Sequence, residues 1–342
     1  MSVEAWQKCL ESQTRKKRST ILLLCLAHRP EVVCESLLLS SLAAENFIAT
    51  TIVLAFSKWK PDIGDVYKNA CELASRARED DNRLLLFSVL QQAGMVRDCL
   101  VLREELKIDV MARHFPLVEL LVNAGVNLET TLNGPLHATI SRMDLDLLKL
   151  FRKAKFATPI SHAIGFVPNS ASESDFIQLL DILGPRGIAG TPLDTHLVNA
   201  VRKRQTQLVQ SLIKYGGSIE YQSASAIRIS LENTDFDILK TLLTRDCSRK
   251  ILSGVIPTVM NISPNPRRLE AFNMILNKGV VISKLRGPLR EAVSQHGDVD
   301  LDLIRLLLHH KAPLDETEDP EKNVVFLAIS RGLLPVLTYF VV

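Results

Sequence analysis

The side chains able to do chemistry are scattered along this chain without a pattern. The eight histidines include one adjacent pair, His309-His310. Two metal-binding histidines on one helix face need a spacing of four, and adjacent residues point in different directions. Ser161-His162 sets a hydroxyl beside an imidazole, but no acid is placed to complete a triad. Gly187-Ile188-Ala189-Gly190 has neither the lysine nor the glycine spacing of a phosphate loop. The cysteines are Cys9, Cys25, Cys34, Cys71, Cys99 and Cys247, and no two have the spacing of a zinc or redox motif. They read as buried or partly buried thiols in a reducing compartment. The carboxylates read as helix caps or exposed positions. The sequence therefore assigns no catalytic residue, no metal ligand and no cofactor, and it predicts a protein that is not an enzyme.

The elements that carry these side chains repeat. The stretch 287–315, GPLREAVSQHGDVDLDLIRLLLHHKAPLD, holds a turn, a short helix, a loop, a second helix and another turn. Proline suits the first turn of a helix, where its missing N–H is not needed. Leu289, Ala292 and Val293 recur at helical spacing, Gly297-Asp298 breaks that helix, and Asp300 is placed to cap the next. Leu303, Ile304, Leu306, Leu307 and Leu308 then form a broad apolar face, and Leu306 and Leu307 are expected in the core. One pair of short helices cannot bury such a face, so it needs copies of itself on either side.

The copies are visible. A small residue in the first helix marks each one: Ala74, Glu105, Thr139, Ala163, Ala200, Ser230, Val259, Ala292 and Ala328. The intervals run from 29 to 37 residues, apart from 24 between Thr139 and Ala163, where part of a repeat must be missing. Gly94, Gly125, Gly216 and Gly279 follow apolar second helices, where a left-handed residue closes the last turn. Asp144, Asp235 and Asp300 precede second helices as caps. Pro-rich loops fall at 184–192, between repeats, and at Ser263-Pro264-Asn265-Pro266, inside one.

A period near 33 with two helices and a turn is that of the ankyrin repeat. Gly134-Pro135-Leu136-His137-Ala138 resembles its T-P-L-H-x-A signature without the Thr, and Gly287-Pro288-Leu289-Arg290-Glu291-Ala292 resembles it with the His replaced. Gly125-Val126-Asn127-Leu128-Glu129 is similar to the segment that follows the family's second helix. The resemblance covers roughly residues 64 to 342, and most copies lack the full signature. It implies an all-α, ankyrin-like helical repeat solenoid of about eight helix pairs in one continuous stack with little or no strand. Residues 1–63 would form a helical N-terminal cap with helices near 19–26, 30–44 and 47–57, joined to the array by a loop at 59–64.

Composition fits that reading. Of 342 residues, 46% are hydrophobic and only 5% aromatic, which suits small helices packed by aliphatic side chains. The net charge of +3 is too small to argue for nucleic acid. The run Arg15-Lys16-Lys17-Arg18 could be a nuclear-import signal or a basophilic kinase site, but the ordinary reading is a solvated helix end. The most apolar region is interrupted by charge, and its longest uncharged run, 46–57, is shorter than the ~20 residues a membrane span takes. No membrane partner is expected.

Function follows from architecture. The leading reading is a non-catalytic scaffold that grips another protein on the concave face of the stack. The alternative is a regulatory or sensor segment of a larger immune- or incompatibility-type protein; a divergent enzyme with a buried polar cluster ranks third. The resemblance implies a eukaryotic protein, cytoplasmic or nuclear. It also implies that first-helix ends and turn tips face the partner, which singles out Arg142, Arg202, Lys203, Arg204, Tyr221 and Arg286. These cations are ordinary solubilising charges, or else they steer an acidic partner. At the C-terminal end, Leu333, Leu334, Val336, Leu337 and Phe340 are expected to face inward. Tyr339, Val341 and Val342 would lack cover, so the natural chain is expected to continue or to bury this end against a partner or a second copy.

Overall fold

Leucine-rich segments punctuated by Asp, Gly and Pro become short helices along the whole chain, because each punctuation mark ends one helix before the next can begin. The computed structural model describes residues 3–57, 64–77, 79–94, 98–128, 134–156, 160–263, 265–295, 299–314 and 323–340. The fold is all-helical with almost no strand. It divides into two compact units, Met1–Ala171 and Ser172–Val342. The boundary expected at residue 63 falls within 58–63, outside the described residues.

The first unit opens with α1 (Val3–Arg15), α2 (Ser19–His28), a 3-10 turn (Pro30–Val32), α3 (Glu35–Ala43) and α4 (Phe47–Phe56). The single helix expected over 30–44 is split, since Val33 and Cys34 are extended. Pro30 starts a turn there, and the β-branched pair Val32-Val33 favours extended backbone. Next come α5 (Gly64–Ser75), α6 (Asp80–Gln92), α7 (Leu100–Ala112) and α8 (Phe115–Asn123). The unit closes with β1 (Asn127–Leu128), α9 (Pro135–Ser141), α10 (Leu145–Leu150), β2 (Lys155–Phe156) and a 3-10 turn (Ala163–Phe166). The two-residue strands pair in parallel, Asn127 with Lys155 and Leu128 with Phe156. The short interval between Thr139 and Ala163 has a structural cause: α10 is cut to six residues, and a 3-10 turn stands where the next first helix would be.

Helices of this unit touch their hairpin neighbour and the helix two places on. Thus α1 packs on α3, α3 on α5, α5 on α7 and α7 on α9, while α2, α4, α6, α8 and α10 pack in a second series. Helices before residue 63 join both series in the same way as those after it.

The second unit holds α11 (Glu173–Leu183), α12 (Thr191–Arg202), α13 (Thr206–Lys214), α14 (Tyr221–Glu232) and α15 (Phe236–Leu242). It continues through α16 (Arg249–Ser253), α17 (Ile256–Met260), α18 (Asn265–Lys278), α19 (Arg286–Ser294), α20 (Leu301–His309), α21 (Val324–Ser330) and α22 (Leu334–Phe340). Here α12 packs on α14, α14 on α17, α17 on α19 and α19 on α21. In the other layer α11, α13 and α15 pack in turn, as do α18, α20 and α22.

The sequence punctuation does local work. Asp144, Asp235 and Asp300 accept from the N–H groups of Leu147, Ile238 and Leu303 at 3.4, 3.2 and 3.1 Å, capping α10, α15 and α20. Gly94, Gly125, Gly216 and Gly279 all have positive φ. Gly184 is fixed by close approach instead: a Cβ there would lie 2.3 Å from the Tyr215 ring, whose hydroxyl donates to Asp181 at 2.6 Å. The nine marker residues are all buried. Gly297-Asp298 lies outside the described residues, as does Pro264 of the second Pro-rich loop.

Two expectations about core faces need correction. Leu307 is fully buried, but Leu306 is half-buried and faces a groove beside α18. On α22, Val336 is buried, whereas Leu334 is 71% exposed because it sits at the helix's first position, ahead of the packed turn. Tyr339 is covered after all: the Arg305 guanidinium stacks 5.1 Å from its ring centre and donates to its hydroxyl. Val341 and Val342 lie outside the described residues. No helix among the described residues is long and apolar enough to cross a membrane.

Candidate protein-binding surface

In the second unit the first-helix layer leaves a groove of about 640 Å³ between α16–α17 and α19. Its construction begins with Ser253 at the end of α16. That hydroxyl donates to Arg249 O at 2.6 Å and accepts from Val281 N–H at 2.8 Å, which ties the 3-10 turn Ile282–Leu285 against α16. The turn then leads directly into α19, with Pro288 buried in its first turn. Ile256, Pro257, Met260 and Pro288 give the groove apolar walls. Lys284, Arg286 and Arg290 stand on its rim, all exposed, with Glu291 as the one acid among the lining residues. Three cations against one carboxylate leave the rim positive.

Of these lining cations, the sequence candidates include Arg286 but neither Lys284 nor Arg290. A usable signal existed for Arg290, which lies four residues after Arg286 on α19 and so shares its face.

The other sequence candidates do not converge on this groove. Arg142 belongs to the first unit, where it caps the end of α9 and donates to Met111 O at 3.2 Å. Arg202, Lys203 and Arg204 are exposed at the C-terminal end of α12. Arg202 donates to Asn199 Oδ1 at 3.3 Å and Arg204 to Asn233 O at 3.4 Å. Tyr221 is half-buried, and its hydroxyl meets Thr195 Oγ1 at 3.3 Å in the N-terminal half of α12. From Thr195 to Arg202 the helix rises roughly 10 Å, so Tyr221 and the three cations belong to opposite ends of α12. Just after Tyr221, residues Gln222, Ser223 and Ala224 take left-handed conformations, and Arg228 donates to the carbonyls of Gln222 and Ser223 at 3.0 and 2.6 Å.

The first unit contains a polar cluster that the sequence reading did not find. Glu105 and Asp109 lie four apart on the buried face of α7, and the Arg83 guanidinium from α6 reaches both, Asp109 Oδ1 at 2.7 Å. Arg83 also donates to Asp80 Oδ1 at 2.8 Å. His114 bridges Asp109 Oδ1 at 3.2 Å and Asp80 Oδ2 at 2.9 Å. Burial pushes both the Glu105 and Asp109 carboxyls above the ordinary carboxylate range, and Arg83 only partly offsets it. Burial opposes the Arg83 charge too, yet Glu105 and Asp109 raise its pKa overall. Burial thus disfavours the charge on both carboxyls, and the single guanidinium they share cannot fully compensate two of them, while the pair together holds the Arg83 charge in place. A like-charged i,i+4 pair on an otherwise apolar helix face was the available signal, because it demands a cation from a neighbour.

The cluster is filled by its own members, with Arg83, Glu105 and Asp109 all under 9% exposed. Among the described residues no group of three or more His, Cys, Asp or Glu side chains is arranged to hold a metal ion. His309 and His310 stack edge to face, 5.5 Å between ring centres, and burial lowers the His310 pKa, with the His309 charge adding to it. All six cysteines are free thiols. Burial, reinforced by Glu220, pushes the Cys247 thiol up to about 11, which makes it a poor nucleophile at neutral pH. No family model matches the chain, and no curated protein matches it.

Proposed function

We propose that the chain is a non-catalytic protein-interaction scaffold, each unit a stretch of ankyrin-like helical repeat solenoid. The observation that carries this reading is the two-series packing. First helices stack on first helices and second on second, each contacting the helix two places along the chain in the first unit and, in the second, along α11–α13–α15, α12–α14, α17–α19–α21 and α18–α20–α22, with α14 on α17. Such stacking is how repeats that cannot bury their own faces gain a shared core. The burial of all nine marker residues supports it, since stacked first helices need small or tightly held groups where they meet.

A stack of this kind offers a large preformed surface with little ordering cost on binding. That surface includes the groove between α16–α17 and α19, whose positive rim favours an acidic segment of another protein. The free thiols favour the cytoplasm or nucleus as the working compartment. A second reading, a regulatory segment of a larger protein, draws support from apolar side chains left uncovered on α21 and α22: Phe326, Ile329 and Leu334.

The test is affinity capture with the wild-type chain and a Lys284→Glu/Arg286→Glu/Arg290→Glu variant of equal thermal stability. The scaffold reading expects a partner that the wild type retains and the variant loses. Arg202→Glu/Lys203→Glu/Arg204→Glu, at the far end of α12, should keep most of that binding. Identical captures by wild type and both variants would favour the regulatory-segment reading.

A further inference from the structure

We infer that the outer face of α2 and α4 in the first unit docks on an anionic lipid surface. The starting observation is composition. Helix α2 reads STILLLCLAH and α4 reads FIATTIVLAF, and neither carries an Asp, Glu, Lys or Arg. Helices apolar all round are normally buried on every side. These two are not. Only one face of each is covered, by Leu22 and Leu26 of α2 and by Ala49, Thr50 and Val53 of α4. Ile21, Leu23, Leu24, Phe47 and Ile48 are open to solvent, Leu24 at 60% and Ile48 at 49%.

The two helices present these side chains together. They pack on each other within one layer, and Asn46 brings their N-terminal ends into register. Its Nδ2 donates to Thr14 O at 3.2 Å, and its Oδ1 accepts from Ala49 N at 3.1 Å and from Ser19 Oγ at 3.4 Å. The turn between α1 and α2 is thereby pinned to the start of α4. The end of α1 and that turn hold Arg15, Lys16, Lys17 and Arg18, all exposed and, among the described residues, none within ion-pair distance of a carboxylate. Of the acids around it, Glu31 pairs with Arg29 at 2.6 Å and Glu45 accepts from Asn82 at 3.1 Å; Glu11, one turn before Arg15 on α1, leaves residues 11–18 with three net positive charges.

An aliphatic strip with four unpaired cations at one end matches one surface chemistry well. The acyl boundary of a bilayer takes the aliphatic side chains, and anionic headgroups take the cations; neither signal alone gives firm attachment. A second copy fits less well: a parallel pair would bring two sets of four cations together, and an antiparallel pair would set each against α2 and α4, which carry no acid. The face lies on the membrane and spans nothing.

The experiment is flotation of the full chain with vesicles of phosphatidylcholine alone and of phosphatidylcholine with about one third phosphatidylserine, alongside its mass in dilute solution. The expected result is flotation with the anionic vesicles only, weakened by salt. Lys16→Gln and Lys17→Gln, in a solvated turn that no core packing needs, should each lower the partition coefficient about fivefold. Leu24→Glu/Ile48→Glu, with unchanged helical circular dichroism, should abolish flotation. Absence of flotation with either vesicle would overturn the proposal. So would flotation indifferent to Leu24→Glu/Ile48→Glu, and so would a dimer that this variant converts to monomer, which would assign the face to a second copy.

Discussion

Glu105 on α7 and Ala200 on α12 occupy the same marked position in the sequence pattern, and both are buried. Around Ala200 the interior is aliphatic: Leu193, Leu197, Val198 and Val201 from α12, with Leu208, Val209 and Leu212 from α13. Around Glu105 it is ionic, with Asp109 on the same helix and Arg83 from α6. The first arrangement needs only volume to match. The second needs a guanidinium at one place, because an unpaired buried charge is far more expensive than a packing gap. The contact between α6 and α7 is therefore directional, while that between α12 and α13 tolerates repacking.

The sharpest way to break this contrast is Arg83→Met. It keeps most of the volume but strands Glu105 and Asp109, and should destabilise the chain by roughly 3–5 kcal/mol in urea denaturation. A loss below about 1 kcal/mol would mean that the cluster behaves like ordinary packing. For the aliphatic interior, Leu307→Ala should cost roughly 2–5 kcal/mol, and Leu306→Ala, half-buried beside its groove, clearly less. Equal denaturation midpoints would place both side chains on one buried face, against the structure. Removing a local feature should matter less again: Asp235→Ala deletes the cap of α15 and should cost about 1 kcal/mol.

The smallest effect at neutral pH is the most diagnostic. Burial raises the Glu105 carboxyl above its unfolded value, so between those two values the folded chain holds more protons. Its contribution to stability therefore falls as pH rises through that window, the reverse of an ordinary salt-bridged acid. Glu105→Gln removes the titration. It should be close to neutral or mildly stabilising at pH 7, and that benefit should vanish as pH falls below the unfolded carboxylate range. A Gln variant that loses ground to wild type as pH rises would show that Arg83 more than offsets the desolvation.

The cluster also shows where reading the sequence stops. Many helix positions, the aspartate caps, the left-handed glycines and the burial of the markers were legible, each from residues within a few places of one another. A cap depends on a carboxylate and an N–H three residues on, and a marker depends on which face its own helix buries. The expected helix over 30–44 failed on the same local scale, through one proline and a β-branched pair. Of the proposed groove, only Arg286 was found. Lys284 and Arg290 join it because Ser253, 28 residues before Val281, holds the turn against α16.

The sequence by itself determined the all-helical character of this protein and many of the places where its helices begin and end. Those outcomes follow from backbone hydrogen bonds, capping and apolar periodicity, which act within a turn or two of helix. Only the tertiary structure decided that Glu105 has a cation, 22 residues away, that Leu306 borders a groove, and that α2 and α4 leave an apolar face in water. Each of these depends on which side chain a neighbouring helix brings up. Desolvation and charge pairing act across that distance, and no spacing along one helix encodes them.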